Sequence, residues 1–171
     1  MKRIGFGQVE PNHLSAQRTG QIYAQLPAHK KAGNEDLVAS IEVLENGQFV
    51  KYDYAKGEVN FTGEGEWMLV YNEVKLYDGW RETYKDYAMQ AKDFTNGVMT
   101  PRVFKTNIGD IFTTNTIGDG SANVEVAVGD ILCPDAKGYL VKNSDGPMAW
   151  QVVKVYTLAD GQEAVKIMRI K

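Results

Sequence analysis

Six Asn-Gly or Asp-Gly pairs punctuate this chain, at Asn46-Gly47, Asp78-Gly79, Asn96-Gly97, Asp119-Gly120, Asp145-Gly146 and Asp160-Gly161. Such pairs accept the positive backbone angles of tight turns, so they cut a chain into short pieces that double back. Between them apolar residues alternate with polar ones. Leu37, Ala39, Ile41 and Val43 lead up to the first pair, and Val50, Tyr52 and Tyr54 leave it, which predicts a hairpin. Val124, Val126 and Val128 alternate, as do Tyr139 and Val141. Trp150 and Val152 face away from Val153 and Val155, and Ala164 to Lys171 place Val165 and Ile167 on one face with Met168 and Ile170 on the other. These are strands with one wet face. Trp67-Met68-Leu69-Val70-Tyr71 is apolar throughout, which predicts a strand covered on both faces at the centre of the core.

A second feature is a repeated phrase: Ile108-Gly109-Asp110-Ile111-Phe112 and Val128-Gly129-Asp130-Ile131-Leu132 lie twenty residues apart. Glycine takes backbone angles closed to other residues, and aspartate can bond turn amides, so each copy predicts a turn that opens a strand. Trp80 to Ala91 is the one stretch that competes as a helix, because Trp80, Tyr84, Tyr87, Ala88 and Ala91 fall near helical spacing; a sheet edge is the alternative. The expected fold is mainly β, a compact β-barrel or β-tulip-like domain of short antiparallel strands with at most one short helix.

At 171 residues the chain suits one well-filled domain. Its character changes before residue 35, where Pro11, Asn12, Gly20, Pro27, Gly33 and Asn34 interrupt every pattern. Residues 1–34 are therefore expected to form an extended N-terminal arm, and 35–171 the β domain. Ile4, Phe6, Leu14, Ile22, Tyr23 and Leu26 would be its apolar hooks, ordered either on a partner or by wrapping their own domain. No run approaches the roughly 18 unbroken apolar residues of a membrane span. Met1 to Gly7 has a basic pair without an apolar run behind it, so synthesis in the cytoplasm is expected and membrane association is not. A net charge of −3 argues against a broad grip on nucleic acid.

Few residues point to chemistry. His13 and His29 both lie in the arm without a second ligand at metal-binding spacing. Cys133 is the only cysteine and has no evident base, so it reads as packing. Gly5-Phe6-Gly7-Gln8-Val9-Glu10 begins like a dinucleotide fingerprint but places Glu10 where a small residue belongs. The polar groups of 119–125 and 143–146 suit turn tips rather than a calcium loop. No catalytic, cofactor-binding or metal-binding residue is expected, and no cofactor. Aromatics carry the strongest binding signal: Tyr77, Trp80, Tyr84 and Tyr87 stand among mixed charges that suit a protein partner, with an ordinary amphipathic element as the alternative.

Two stretches taken together, Glu10 to Gly20 and Phe104 to Thr116, resemble small virion structural proteins encoded beside capsid genes in tailed bacteriophages. Val128-Gly129-Asp130-Ile131-Leu132 followed by Lys137-Gly138-Tyr139 is similar to the phrasing of phage head-decoration proteins with a small β-barrel or β-tulip domain. The resemblance implies a cement or decoration role on the outside of an assembled capsid, in the virion, without catalysis. Its implied partners are the major capsid protein and further copies of this chain, a homo-oligomer such as a trimer on a local symmetry axis. A head-tail or tail component is the nearest alternative. A carbohydrate- or nucleic-acid-binding β module using Trp80, Tyr84 and Tyr87 is the alternative from another class.

Overall fold

Alternating sequence becomes short antiparallel strands. A computed structural model describes residues 5–9, 22–30, 41–72, 88–94, 98–118, 124–158 and 161–171. The first sheet is built from β1 (Ile22–Tyr23), β4 (Phe49–Asp53), β5 (Glu58–Asn60), β6 (Met68–Val70) and β9 (Val103–Phe104), in the order β1-β9-β6-β4-β5. The second contains β10 (Ile111–Thr114), β11 (Ile131–Pro134), β12 (Leu140–Lys142), β13 (Trp150–Thr157) and β14 (Glu163–Arg169), in the order β10-β14-β13-β11-β12. Two ribbons complete the set: β2 (His29–Lys30) with β8 (Val98–Met99), and β3 (Val43–Glu45) with β7 (Ala88–Gln90).

The architecture is mainly β, as expected, and it is layered. Phe49 and Leu69 project from the first sheet into one core, where they meet Phe112, Leu132, Trp150, Val152, Val165 and Ile167 of the second. Phe112 and Trp150 pack edge to face with ring centroids 4.9 Å apart, and Phe49 lies 5.6 Å from Trp150. Val50, Tyr52, Met68 and Val70 face the other way, into a second core shared with Leu44, Met89 and Met99 of the ribbons. The segment Trp67 to Tyr71 is thus covered on both sides, as its unbroken apolar run predicts. Val165 and Ile167 are buried while Ile170 is exposed, which matches the two-faced reading of the C-terminal strand.

The second sheet curls. Its edges β10 and β12 would lie about 19 Å apart if flat, four spacings of about 4.8 Å. Yet Ile117, three residues beyond β10, forms a parallel bridge with Leu140 of β12, and the Gly118 N–H donates to the Leu140 carbonyl at 2.7 Å. Three residues reach only about 10 Å, so the sheet must bend towards closure. The tie is a single bridge and not a full ladder, so the expected barrel is approached without being completed among the described residues.

Two local expectations are corrected, and the helix-or-sheet-edge stretch takes its second alternative where it is described. The hairpin across Asn46-Gly47 does not pair: β3 joins β7, and β4 joins β5 and β6. The turn forms, but its amides go elsewhere, Gly47 N–H to the Val70 carbonyl and Phe49 N–H to the Gly138 carbonyl. Val124 to Val128 is not a strand; Val124 and Val126 pack against the first core from an extended segment, and Val128 is exposed. Of Trp80 to Ala91, residues 80–87 lie outside the described residues, while 88–90 form β7 and Ala91–Asp93 a single 3-10 turn.

Of the expected arm at 1–34, the described residues 5–9 and 22–30 pack on the β domain, which is the wrapping alternative. Val9 bridges Thr114 and is buried in the first core; β1 pairs with β9, β2 with β8, and Ala28 lies in the second core. A buried polar seam stitches the first of these pieces down. Glu45 accepts the Gly7 N–H at 3.0 Å, Asn115 Oδ1 accepts the Gln8 N–H at 2.9 Å, and the Thr114 hydroxyl donates to the Gln8 carbonyl at 2.7 Å. Thr116 donates in turn to the Asn46 carbonyl at 2.7 Å, joining the seam to the first sheet. Buried polar groups satisfied this way fix one arrangement, since leaving any of them unpaired is costly.

Candidate interaction face

The repeated phrase builds the same object twice. In Asn107-Ile108-Gly109-Asp110 and in Ala127-Val128-Gly129-Asp130, the N–H of the aspartate donates to the carbonyl of the first residue, at 3.1 Å in each. Each aspartate carboxylate accepts the first residue's N–H in return, at 2.8 Å in each. Gly109 has φ 92° and Gly129 φ 94°, at the third turn position, where a type II turn demands a positive angle. The neighbouring strand clasps both turns. The Gly109 N–H donates to the Arg169 carbonyl at 2.8 Å and Asp110 accepts the Arg169 N–H at 2.9 Å; Gly129 donates to Val152 at 2.8 Å and Asp130 accepts from Val152 at 2.9 Å.

This equivalence maps Arg169 onto Val152, and it continues into the strand register. Ile111 opposite Met168 corresponds to Ile131 opposite Gln151, and Phe112 opposite Ile167 corresponds to Leu132 opposite Trp150. Within the β13–β14 hairpin the pairs Trp150–Arg169 and Val152–Ile167 exchange, and Gln151–Met168 exchanges with itself. A local twofold axis therefore pierces the sheet at Gln151 and Met168. Because side chains alternate across a strand, Ile111, Met168, Gln151 and Ile131 form a row on the face opposite the core, and all four are half-buried. At the tips of the two flanking turns, Ile108 and Val128 are each 66% exposed. A β-branched apolar side chain so placed adds nothing to the core.

Charges brace the turns. The Ala127 N–H, with Lys142 at 2.8 Å, holds the Asp130 carboxyl below the usual carboxylate range, so it stays ionised at neutral pH. Beside the first turn, Arg169 donates to the Thr106 carbonyl and, at 3.0 Å, to the Thr106 hydroxyl. Burial lowers the pKa of this guanidinium, which nevertheless remains charged.

Four of the ten residues expected to bind a partner are among the described residues. Tyr23 and Leu26 pack against the second core, so their apolar surface is already in use; Phe6 is half-buried, and Ile22 is 46% exposed on β1. Ile4, Leu14, Tyr77, Trp80, Tyr84 and Tyr87 lie outside the described residues. His29 stands 3.7 Å from Glu42, and no group of three metal-ligating side chains occurs among the described residues. Cys133 is fully buried with its thiol donating to the Asn143 carbonyl at 3.0 Å. Asn143 and Asp145 bond within their own turn, Asn143 Oδ1 accepting the Asp145 N–H at 2.9 Å. Sequence reasoning treated Ile108 and Val128 as parts of a turn phrase; the signal it passed over was that both turns place a β-branched apolar residue before the glycine.

A concavity of about 430 Å³ lies between the tip of the β4–β5 hairpin and the loop 62–65. Tyr54 stands beside it, 72% exposed, with its ring edge-on to Tyr52 at 5.6 Å, and Tyr52 is edge-on to Tyr23 at 6.0 Å. Asp53 on its wall accepts the Lys56 N–H at 3.1 Å, the main cause of its lowered pKa. Compared with known proteins, the chain matches no family model, and no curated protein or solved structure matches it.

Proposed function

We propose that this chain is a structural virion protein that attaches to the outside of an assembled bacteriophage capsid and stabilises or decorates it without catalysis. The observation that carries the reading is the pair of exposed apolar turn tips, Ile108 and Val128, on two turns clasped by backbone bonds to the neighbouring strand. Rigid apolar tips suit adhesion to a preformed surface, because little side-chain or loop entropy is lost on contact. The resemblance of Phe104 to Thr116 to small virion structural proteins, and of Val128 to Leu132 with Lys137 to Tyr139 to head-decoration proteins, supports the same reading, since these stretches contain both turns. The test is co-sedimentation with empty shells of the cognate major capsid protein. The parent protein should pellet with shells, and the double variant Ile108→Asp with Val128→Asp should stay in the supernatant while melting like the parent. A parent that never pellets with shells contradicts the reading.

The cleft beside Tyr54 favours a second reading, a saccharide-binding β module in which the tyrosine ring stacks on a sugar. Binding of an oligosaccharide panel, lost in Tyr54→Ala, would replace the first reading with this one.

A further inference from the structure

The duplicated turns say what symmetry the partner has. Resting on the reading that this chain attaches to an assembled shell, we propose that it docks over a twofold axis between two identical shell subunits. One subunit would receive Ile108 and the other Val128 in equivalent apolar sockets. The local twofold at Gln151 and Met168 relates the two turns, their bonds, their strand registers and the equal exposure of Ile108 and Val128. Folding accounts for the glycines and aspartates of the turns, which set the backbone. It does not account for an exposed β-branched apolar residue at both tips, where any residue tolerating an extended-to-helical φ would serve. Two equivalent anchors related by an axis match two equivalent sockets related by an axis.

Area decides between occupants. The row from Ile111 to Ile131 spans three strand spacings, about 14 Å, and its four side chains are half-buried, so it opens only a small area to a partner. A stable free-standing dimer needs about 800 Å² from each partner, so this face does not suffice to hold a second copy of the chain. A twofold pair of subunits in a repeating shell does not need that area from one contact. Once the first tip is seated, the second docks from a high effective concentration, and the two weak contacts reinforce each other. The sheet bends towards closure around its core, so this outer face is convex.

The experiment measures binding to empty shells of the cognate capsid protein for four forms: the parent, Ile108→Asp, Val128→Asp, and the exchanged protein carrying Ile108→Val with Val128→Ile. Melting curves confirm that each is folded. Each aspartate variant should weaken binding by a similar factor, about 30-fold, the size of one lost apolar anchor. The exchanged protein should bind within a few-fold of the parent, and saturation should reach one copy per pair of shell subunits. Loss on one side alone, or saturation at one copy per subunit, would overturn the twofold while leaving attachment to the shell intact. Parent binding that survives both aspartates together would overturn this face. A parent that binds no shell would overturn the proposed function itself.

Discussion

Gly129 isolates the energetic role of the repeated turn. Its φ is 94°, and a Cβ built on it would meet no atom within 4 Å, so a substitution there adds backbone strain and no collision. A non-glycine residue in the left-handed region costs about 1–2 kcal/mol, and a β-branched one up to about 3. Against this, replacing glycine stiffens the unfolded chain, which returns about 0.4–1 kcal/mol. The net expectation is about 0–1.5 kcal/mol for Gly129→Ala and about 1–2.5 kcal/mol for Gly129→Val. Asparagine tolerates positive φ best, so Gly129→Asn should cost least. For a chain of this length 1 kcal/mol lowers the melting temperature by about 2–4 °C. Gly129→Val should therefore melt roughly 2–10 °C below the parent, with alanine between it and asparagine. Gly109, with φ 92° and the same bonds, should show the same order. Scanning calorimetry or urea titration reads the series. A valine variant that melts with the parent, or an asparagine variant as damaged as valine, would refute the strain argument.

Gly138 presents the opposite case: φ is 78° and an added Cβ would lie 1.9 Å from the Phe49 carbonyl oxygen, so Gly138→Ala should cost more than about 3 kcal/mol and a soluble-expression and melting assay should show it. Deleting residues 1–9 should lower the melting temperature by several degrees or more, because it exposes the pocket of Val9, worth about 1.5–3 kcal/mol, and strands the buried partners of Gln8. Because Asp130 and Asp53 have lowered pKa values in the fold, they add stability above the unfolded carboxylate pKa, near 4, and lose it as pH falls through their folded values. Asp130→Asn should accordingly melt below the parent at pH 7 and alike at about pH 2, as paired melting curves would record.

Where local pattern and tertiary environment coincide, the fold is legible from the chain alone. Val165 and Ile167 face the core and Ile170 the solvent because one strand face is wet and the other dry, and period-two alternation encodes that directly. The run Trp67 to Tyr71 announces burial on both sides for the same reason. Pairing is less legible. Val43 and Val50 flank a turn, yet β3 and β4 enter different sheets, because their partners at 88–90 and 68–69 are fixed by long-range packing. Least legible is the polar seam. Gln8, Thr114, Asn115 and Thr116 look like surface residues until each finds a partner up to 107 positions away, and hydrophobicity carries no trace of that. The interaction face falls between: the repeat is visible in sequence, but the twofold emerges only from strand register and the anchors only from exposure.

Averaged electron density of cognate capsids with and without this protein tests the central claim most directly. The account predicts additional density straddling twofold axes of the shell, with the turns at 107–110 and 127–130 as the parts nearest the shell surface. Density that turns these residues outward to solvent, or capsids that carry none of the protein, would contradict it.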